Sequence, residues 1–201
     1  MYIVFEGMPC TGKTTVAKQL AECLNAHYMK SVLSDTLFGN NIKRFRQSSP
    51  IEMDYFYLID GVIDELRLRD LLKTKSVIRD KCHIASVAHL KVQGYASQAY
   101  DVKSSIEMGY EQLSFYSTKP DLIVFFEPNL EQTRKHILDK DDRSQIDIDI
   151  IADTSTYIKQ SDALKSILKR TYDSKFLEIQ SFSMTVTQLC DVIKTKMQEL
   201  V

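Results

Sequence analysis

The chain has 201 residues, of which 44% are hydrophobic and 26% are charged, and its formal net charge is -1. This length suits one compact domain with a substantial core, and the balanced charge argues against a protein that coats nucleic acid. No apolar stretch approaches the length of a membrane span, and the sequence opens on a core strand rather than on a charged, cleavable leader. We therefore expect a single domain over residues 1–201 that binds neither nucleic acid nor a membrane.

The first fifteen residues combine a short apolar strand, a glycine-rich turn and the start of an amphipathic helix. The turn runs Gly7-Met-Pro-Cys-Thr-Gly-Lys-Thr14, which matches the pattern of a phosphate-binding loop between a strand and a helix. Backbone N–H groups and the helix N-terminus favour polyphosphate oxygens there, so Lys13 is expected to reach the β- and γ-phosphates and Thr14 to bind Mg²⁺. An ordinary glycine turn is the alternative. The residues predicted to bind ATP are Gly7, Thr11, Gly12, Lys13, Thr14 and Thr15.

The rest of the chain alternates apolar strands with amphipathic helices, which is typical of a parallel sheet covered on both faces. Further strands are predicted over residues 27–33, 75–80, 120–128 and 176–179. Helices are predicted over about 51–72, 86–99, 106–115, 130–138, 154–172 and 186–200. The segment 139–153 is dominated by charge, so we expect a mobile loop there that can act as a lid.

The cysteines of the chain are scattered and form no CxxC pair. They are Cys10, Cys23, Cys82 and Cys190. This spacing predicts reduced thiols in a cytoplasmic protein. Because Cys10 lies inside the phosphate loop, its oxidation or alkylation is expected to block ATP.

A carboxylate at the end of the predicted strand 75–80 is the second feature with chemical meaning. Ligands of open parallel sheets gather beyond the carboxyl ends of the strands. Asp80 can hold Mg²⁺ there, directly or through water, and the adjacent Lys81 can meet a phosphate. An ordinary surface pair at a strand end is the alternative.

Two basic groups lie near the segments that could cover a bound phosphate. The first surrounds the charged segment and consists of Arg134, Lys135, Lys140 and Arg143. Phosphoryl transfer needs positive charge on the moving group without water, which a closing lid with an arginine supplies. The second precedes the long helix, where an acceptor phosphate could bind, and consists of Lys43, Arg44 and Arg46. Solvated surface is the alternative for both groups.

Several short motifs, in order over most of the chain, resemble thymidylate kinase. They are Phe5-Glu6-Gly7, Asp80-Lys81 with Ser86 and Ala88, Pro120-Asp121-Leu122, and Asp142-Arg143. The resemblance implies an α/β, three-layer P-loop kinase fold with a five-stranded parallel sheet, helices on both faces and a short lid. It also implies a homodimer. Asp80 would then support Mg²⁺ and the acceptor phosphate, Lys81 would replace a phosphate-binding arginine, and Arg143 would be the lid arginine.

The departures from that family cluster on the acceptor side. Pro9 stands where the family usually has an acidic residue, Gly61 stands where an arginine follows an aspartate, and His89-Leu90 replaces a thymine-reading Tyr-Gln. Losing buried hydrogen-bonding groups weakens selectivity for the original ligand. The donor half is therefore expected to be intact and the acceptor half altered.

The predicted reaction transfers the γ-phosphoryl group of MgATP to a nucleoside monophosphate, with dTMP giving dTDP as the first candidate. The expected catalytic residues are Lys13, Asp80, Arg134 and Arg143, with Thr14 and Asp80 as metal ligands. The expected acceptor-binding residues are Glu6, Pro9, Arg44, Lys81 and Ser86.

Two other functions remain open. A kinase of a deoxynucleoside or of another small-metabolite hydroxyl would need a carboxylate as base, for which Glu6 or Asp80 is available. A non-catalytic NTP-binding protein is the other, although the set of Lys13, Thr14, Asp80 and Arg143 disfavours it.

Overall fold

The computed structural model describes residues 1–30, 50–92, 100–139 and 145–200. The strands of the sheet are β1 (Tyr2–Gly7), β2 (His27–Lys30), β3 (Val77–Asp80), β4 (Leu122–Phe126) and β5 (Phe176–Ile179). The α-helices among the described residues are α1 (Lys13–Cys23), α2 (Pro50–Leu72), α3 (Ile84–Val92), α4 (Tyr100–Tyr116), α5 (Leu130–Leu138), α6 (Gln145–Ala152), α7 (Thr154–Tyr172) and α8 (Val186–Glu199). No described helix is both long enough and apolar enough to pass through a membrane.

The five strands pair in parallel in the order β2-β3-β1-β4-β5, which confirms the predicted α/β fold. All residues of β1 and β4 are buried. A strand covered by helices on both faces must be apolar on both faces, which explains the nearly unbroken apolar sequences of these two strands.

Helices cover both faces of the sheet and so produce three layers. On one face, Ile3 and Phe5 of β1 pack in a cluster with residues of α1 and α8. On the other face, Val4 packs with Leu68 of α2, and Phe125 of β4 packs with residues of α3 and α7. The carboxyl ends of β1 and β3 lie side by side, so the loop after Gly7 and the residue Asp80 reach the same edge.

The predicted helices over 130–138 and 154–172 and the strand over 176–179 have the bounds that the structure shows. The expected mobile loop over 139–153 is wrong for residues 145–152, which form α6. Ile150 of this helix is buried in a cluster with Met8, Ile137 and Tyr157, and that packing stabilises the helix although it contains two aspartates. Parts of three predictions fall outside the described residues: 31–33 of a strand, 93–99 of a helix and 140–144 of the lid segment.

Candidate nucleotide-binding site

The loop between β1 and α1 turns sharply through residues with positive φ. Gly7 has φ 134°, Cys10 has φ 63° and Gly12 has φ 84°. A Cβ atom at Gly7 would lie 2.6 Å from the carbonyl oxygen of Phe126, so the close approach to β4 requires glycine. Left-handed residues in such a turn bring successive N–H groups to one side, which makes an anion-binding concavity.

The first turn of α1 adds donors to this concavity. Gly12 is the N-cap and makes no side-chain hydrogen bond to the helix. The N-terminal N–H groups of a helix have no partner within the helix, and together they carry a partial positive charge. This arrangement suits a phosphate oxygen.

Lys13 is buried against the loop that precedes it. Its Nζ donates to the carbonyl oxygen of Met8 at 2.6 Å and lies 3.3 Å from Thr11 Oγ1. Burial, with the nearby Lys81 as a second cause, lowers the pKa of Lys13 to about 7. A polyphosphate anion beside the ammonium would favour its charged form.

Thr14 and Asp80 meet at the carboxyl edge of the sheet. Thr14 Oγ1 donates to Asp80 Oδ2 at 2.5 Å, and the hydroxyl of Tyr28 donates to the same oxygen at 3.0 Å. Hydroxyl and carboxylate oxygens are the hard ligands that Mg²⁺ takes, so these residues fit that ion. Among the described residues there is no cluster of three or more His, Cys, Asp or Glu side chains that could hold a metal alone. Phosphate oxygens and water would have to complete the coordination.

The acceptor-binding residues predicted near these groups lie at different depths. Glu6 is fully buried; its Oε1 accepts the N–H of Cys82 at 2.7 Å, and burial raises the pKa of its carboxyl group. Lys81 is half-buried with φ 71°, and its N–H donates to Phe5 at 2.9 Å. Ser86 is half-buried on α3. Glu6 and Lys81 therefore link the phosphate loop to the turn that follows β3.

The basic residues predicted to act from the lid side are only partly described. Arg134 is exposed on α5 and donates to Thr154 Oγ1 at 3.0 Å. Arg44 and Arg143 lie outside the described residues. The same helix α5 reaches the phosphate loop through Ile137, which packs with Met8.

The changed acceptor positions have packing reasons. A Cβ atom at Gly61 would lie 2.7 Å from Leu113 Cδ2, so this position lies where α2 packs closely against α4. Leu90 is buried in a cluster with residues of α4, and His89 Nδ1 lies 3.0 Å from Gln160 Nε2 of α7. These positions join helices to each other.

Three hydroxyl groups at the site were missed by the sequence interpretation. Tyr28 bonds Asp80, Tyr157 donates to the carbonyl oxygen of Pro9 at 3.0 Å, and Ser181 donates to the carbonyl oxygen of Thr11 at 2.7 Å. The place of Tyr28 on a strand paired with β3 was a usable signal. Tyr157 and Ser181 are 148 and 170 residues from their partners, and no local pattern marks such contacts.

Two kinds of known protein are similar to this chain in sequence. A family described as "Chromatin associated protein KTI12" matches residues 1–86, which include the phosphate loop and Asp80. A probable thymidylate kinase of Methanococcus vannielii is 27% identical over 139 residues, or 68% of this chain and 65% of that protein. A probable thymidylate kinase of Methanocaldococcus jannaschii is 27% identical over 70% of this chain and 71% of that protein. The chain thus spans about two thirds of the length of these relatives.

Solved structures share the fold at low sequence identity. A deoxyadenosine kinase from M. mycoides with bound dATP superposes with a TM-score of 0.74 at 13% identity, covering 98% of this chain and 100% of that one. Thymidylate kinase from Candida albicans superposes with a TM-score of 0.71 at 20% identity, covering 96% of this chain and 91% of that one. The chain thus has the fold of P-loop kinases, and its sequence is similar, at low identity, to probable thymidylate kinases.

Proposed function

We propose that this protein transfers the γ-phosphoryl group of ATP to a nucleoside monophosphate, with dTMP as the first candidate acceptor. One observation carries the proposal: the loop that cradles an anion, the buried Lys13 and the Thr14–Asp80 pair converge on one edge of the sheet. The probable thymidylate kinases among the relatives support dTMP, although the alignment covers only part of their length.

In this mechanism the donor lies with its β- and γ-phosphates over residues 7–14. The backbone N–H groups bind the phosphate oxygens, and Lys13 exchanges the Met8 carbonyl for a phosphate oxygen. Mg²⁺, held by Thr14 and Asp80, would neutralise charge on the phosphates. An acceptor phosphate held near Lys81 would attack the γ-phosphorus, and its oxygen would form the new bond as the bond from that phosphorus to ADP breaks.

The positive charge that stabilises the transferring phosphoryl group is assigned to the lid segment 139–153. We infer that Arg143, with help from Arg134, supplies that charge when the segment closes and excludes water. Arg134 is exposed and bonds Thr154 at the start of α7, so closure would exchange this partner for phosphate.

A second candidate function is phosphorylation of a deoxynucleoside hydroxyl. It is favoured by Gly61 and Leu90, which pack helices together where an acceptor nucleotide would be read, and a deoxyadenosine kinase shares the fold. A hydroxyl acceptor needs a base. Asp80 is the better candidate, because Glu6 is fully buried and its Oε1 is occupied by Cys82.

The decisive experiment measures ADP release from MgATP against a panel of nucleoside monophosphates and nucleosides. The Lys13→Ala protein is the blank, and Lys18→Ala is the matched control, since Lys18 is exposed on the same helix. We expect Lys13→Ala to lower turnover by roughly 10²–10³-fold or more and Lys18→Ala to leave it unchanged.

The outcomes separate the candidate functions. Rapid turnover with dTMP establishes the thymidylate kinase activity. Turnover with nucleosides alone replaces it with the second candidate. ATP binding without turnover on any acceptor indicates a non-catalytic NTP-binding protein, and full activity of Lys13→Ala contradicts the donor site.

We also propose that the protein is a cytoplasmic homodimer that pairs through the outer face of α2 and α4. The face consists of Tyr55, Ile59, Val62, Ile63 and Leu66 of α2 with Met108, Phe115 and Tyr116 of α4, each exposed by 38–79%. The α2 residues recur at helical spacing and form one stripe. The two helices lie side by side, because a Cβ atom at Gly109 would lie 2.4 Å from Leu58.

A further inference from the structure

Two peptide groups of the phosphate loop are held from outside by hydroxyls of distant elements. The hydroxyl of Tyr157, on α7, donates to the carbonyl oxygen of Pro9 at 3.0 Å. The hydroxyl of Ser181, in the turn after β5, donates to the carbonyl oxygen of Thr11 at 2.7 Å. The two hydroxyls therefore come from different elements of the fold.

Fixing a carbonyl also fixes the direction of the N–H group that follows it. In a planar trans peptide the C=O and the next N–H point in opposite directions. The Tyr157 bond therefore directs the N–H of Cys10 away from α7, and the Ser181 bond directs the N–H of Gly12 away from the turn after β5. Cys10 and Gly12 are both left-handed, with φ 63° and 84°, as an anion-binding turn requires.

The carbonyl of Met8, in the same loop, is held differently. The Met8 carbonyl accepts from Lys13 Nζ and from Thr11 Oγ1 at 3.0 Å. The residue after it is Pro9, which has no N–H, so this peptide has no donor to aim at a phosphate. Unlike this peptide, the two peptides held by hydroxyls carry N–H groups that can serve an anion.

We propose that Tyr157 and Ser181 are positioning residues of the donor site, which hold the N–H groups of Cys10 and Gly12 towards the polyphosphate. The inference rests on the proposed function, because it assumes that the loop binds a nucleoside triphosphate. It adds two residues that touch no substrate and act only through the loop backbone.

The surroundings of Tyr157 suit this task. Its ring is buried with Met8, Ile137 and Ile150, which limits the directions that the hydroxyl can take. Burial raises the pKa of Tyr157 to about 12, so the phenol keeps the proton that it donates at neutral pH. Ser181 is half-buried, and its short side chain has one rotatable bond before the hydroxyl.

The test compares Tyr157→Phe and Ser181→Ala with matched controls. Tyr172→Phe removes a hydroxyl from the same helix, and Ser183→Ala removes one that donates to Gln180 at 3.0 Å, away from the loop. Affinity is measured by calorimetry for ATP and for inorganic tripolyphosphate, which reports on the phosphates alone. The KM of the acceptor and the melting temperature are measured in parallel.

We expect each site variant to weaken the binding of ATP and the binding of tripolyphosphate by the same factor. Loss of one neutral hydrogen bond corresponds to about three- to tenfold in affinity. The acceptor KM stays unchanged, both controls match the wild type, and Ser181→Thr, which keeps the hydroxyl, restores affinity. A role limited to folding would lower the melting temperature without this selective loss.

The binding experiment distinguishes failure of this inference from failure of the proposed function. If the wild type binds both ligands and the two site variants match their controls, the positioning role is wrong and the kinase function stands. If the wild type binds neither ligand, both are overturned. Should Tyr157→Phe fold poorly, the comparison of Ser181→Ala with its control Ser183→Ala decides alone.

Discussion

His83 is a buried residue whose protonation couples folding to pH. It lies in the turn after β3, and its Nε2 lies 3.0 Å from Ser114 Oγ of α4. Burial lowers the pKa of His83 to about 3, whereas an unfolded histidine titrates near 6.5. Between these values the unfolded state binds more protons than the folded state. The stability contributed by the neutral imidazole is therefore complete above pH 6.5 and is lost as the pH falls towards 3.

We expect the free energy of unfolding to fall by up to about 1.4 kcal/mol per pH unit because of His83, as the pH is lowered from about 6 to 4. Urea unfolding of the wild type and of His83→Gln over that range measures the effect. Glutamine keeps a polar group beside Ser114 but binds no proton, so the slope should decrease. His136→Gln changes an exposed histidine and is the control. Equal slopes in wild type and His83→Gln would contradict the coupling.

Whether a residue of the candidate site could be predicted depends on how far away in the sequence its partner lies. Lys13 and Thr14 were predictable because the loop, the helix N-terminus and both side chains form one local motif. Asp80 was predictable because strand ends in a parallel sheet carry ligands. Tyr157 and Ser181 were not, because each acts on a residue brought close only by the complete fold.

Among the secondary elements, α6 is the one whose role was misjudged from composition. The segment 139–153 as a whole is rich in charge, which suggested a solvated loop, but α6 itself alternates isoleucine and aspartate. Ile150 is nevertheless 7% exposed, and the buried Asp147 accepts a hydrogen bond from Cys10 Sγ at 3.4 Å. The helix thus holds one side of the phosphate loop.

Helix α6 offers a matched pair of substitutions. Ile150→Ala is expected to destabilise the protein by about 2–4 kcal/mol, because it removes buried methyl groups between α5, α7 and the phosphate loop. Ile148→Ala, which changes a side chain 48% exposed on the same helix, should change stability by no more than about 0.5 kcal/mol. Chemical denaturation of the two variants measures the difference. Similar small effects would mean that α6 does not pack on the loop.

The elements whose bounds were predicted well have strong local signals at their ends. Asn129 accepts from the N–H of Gln132 at the start of α5, and Asp153 accepts from the N–H of Thr156 at the start of α7. Such caps compensate the first N–H groups of a helix within three residues. Helix α6 depends on tertiary packing instead, which a composition profile does not capture.

Across the described residues, the outer face of α2 and α4 is a large exposed apolar surface. Its eight side chains expose on the order of 800 Å² per subunit, taking roughly 150–250 Å² for a fully exposed large side chain. That area is close to the share of one partner in a stable protein interface, about 800 Å². A two-fold pairing of the face with itself would bury both copies at once.

A charge introduced into this face tests the dimer. Leu66 is 63% exposed, and Leu66→Lys places a charge of the same sign on both sides of a symmetric interface, where desolvation and repulsion add. Sedimentation velocity is expected to show a dimer for the wild type and a monomer for Leu66→Lys, with an unchanged melting profile per subunit. Leu138→Lys makes the same change at a leucine 56% exposed on α5, away from the face, and should remain dimeric. A wild type that sediments as a monomer at all concentrations would contradict the pairing, and the apolar face would then have to be covered by a different partner.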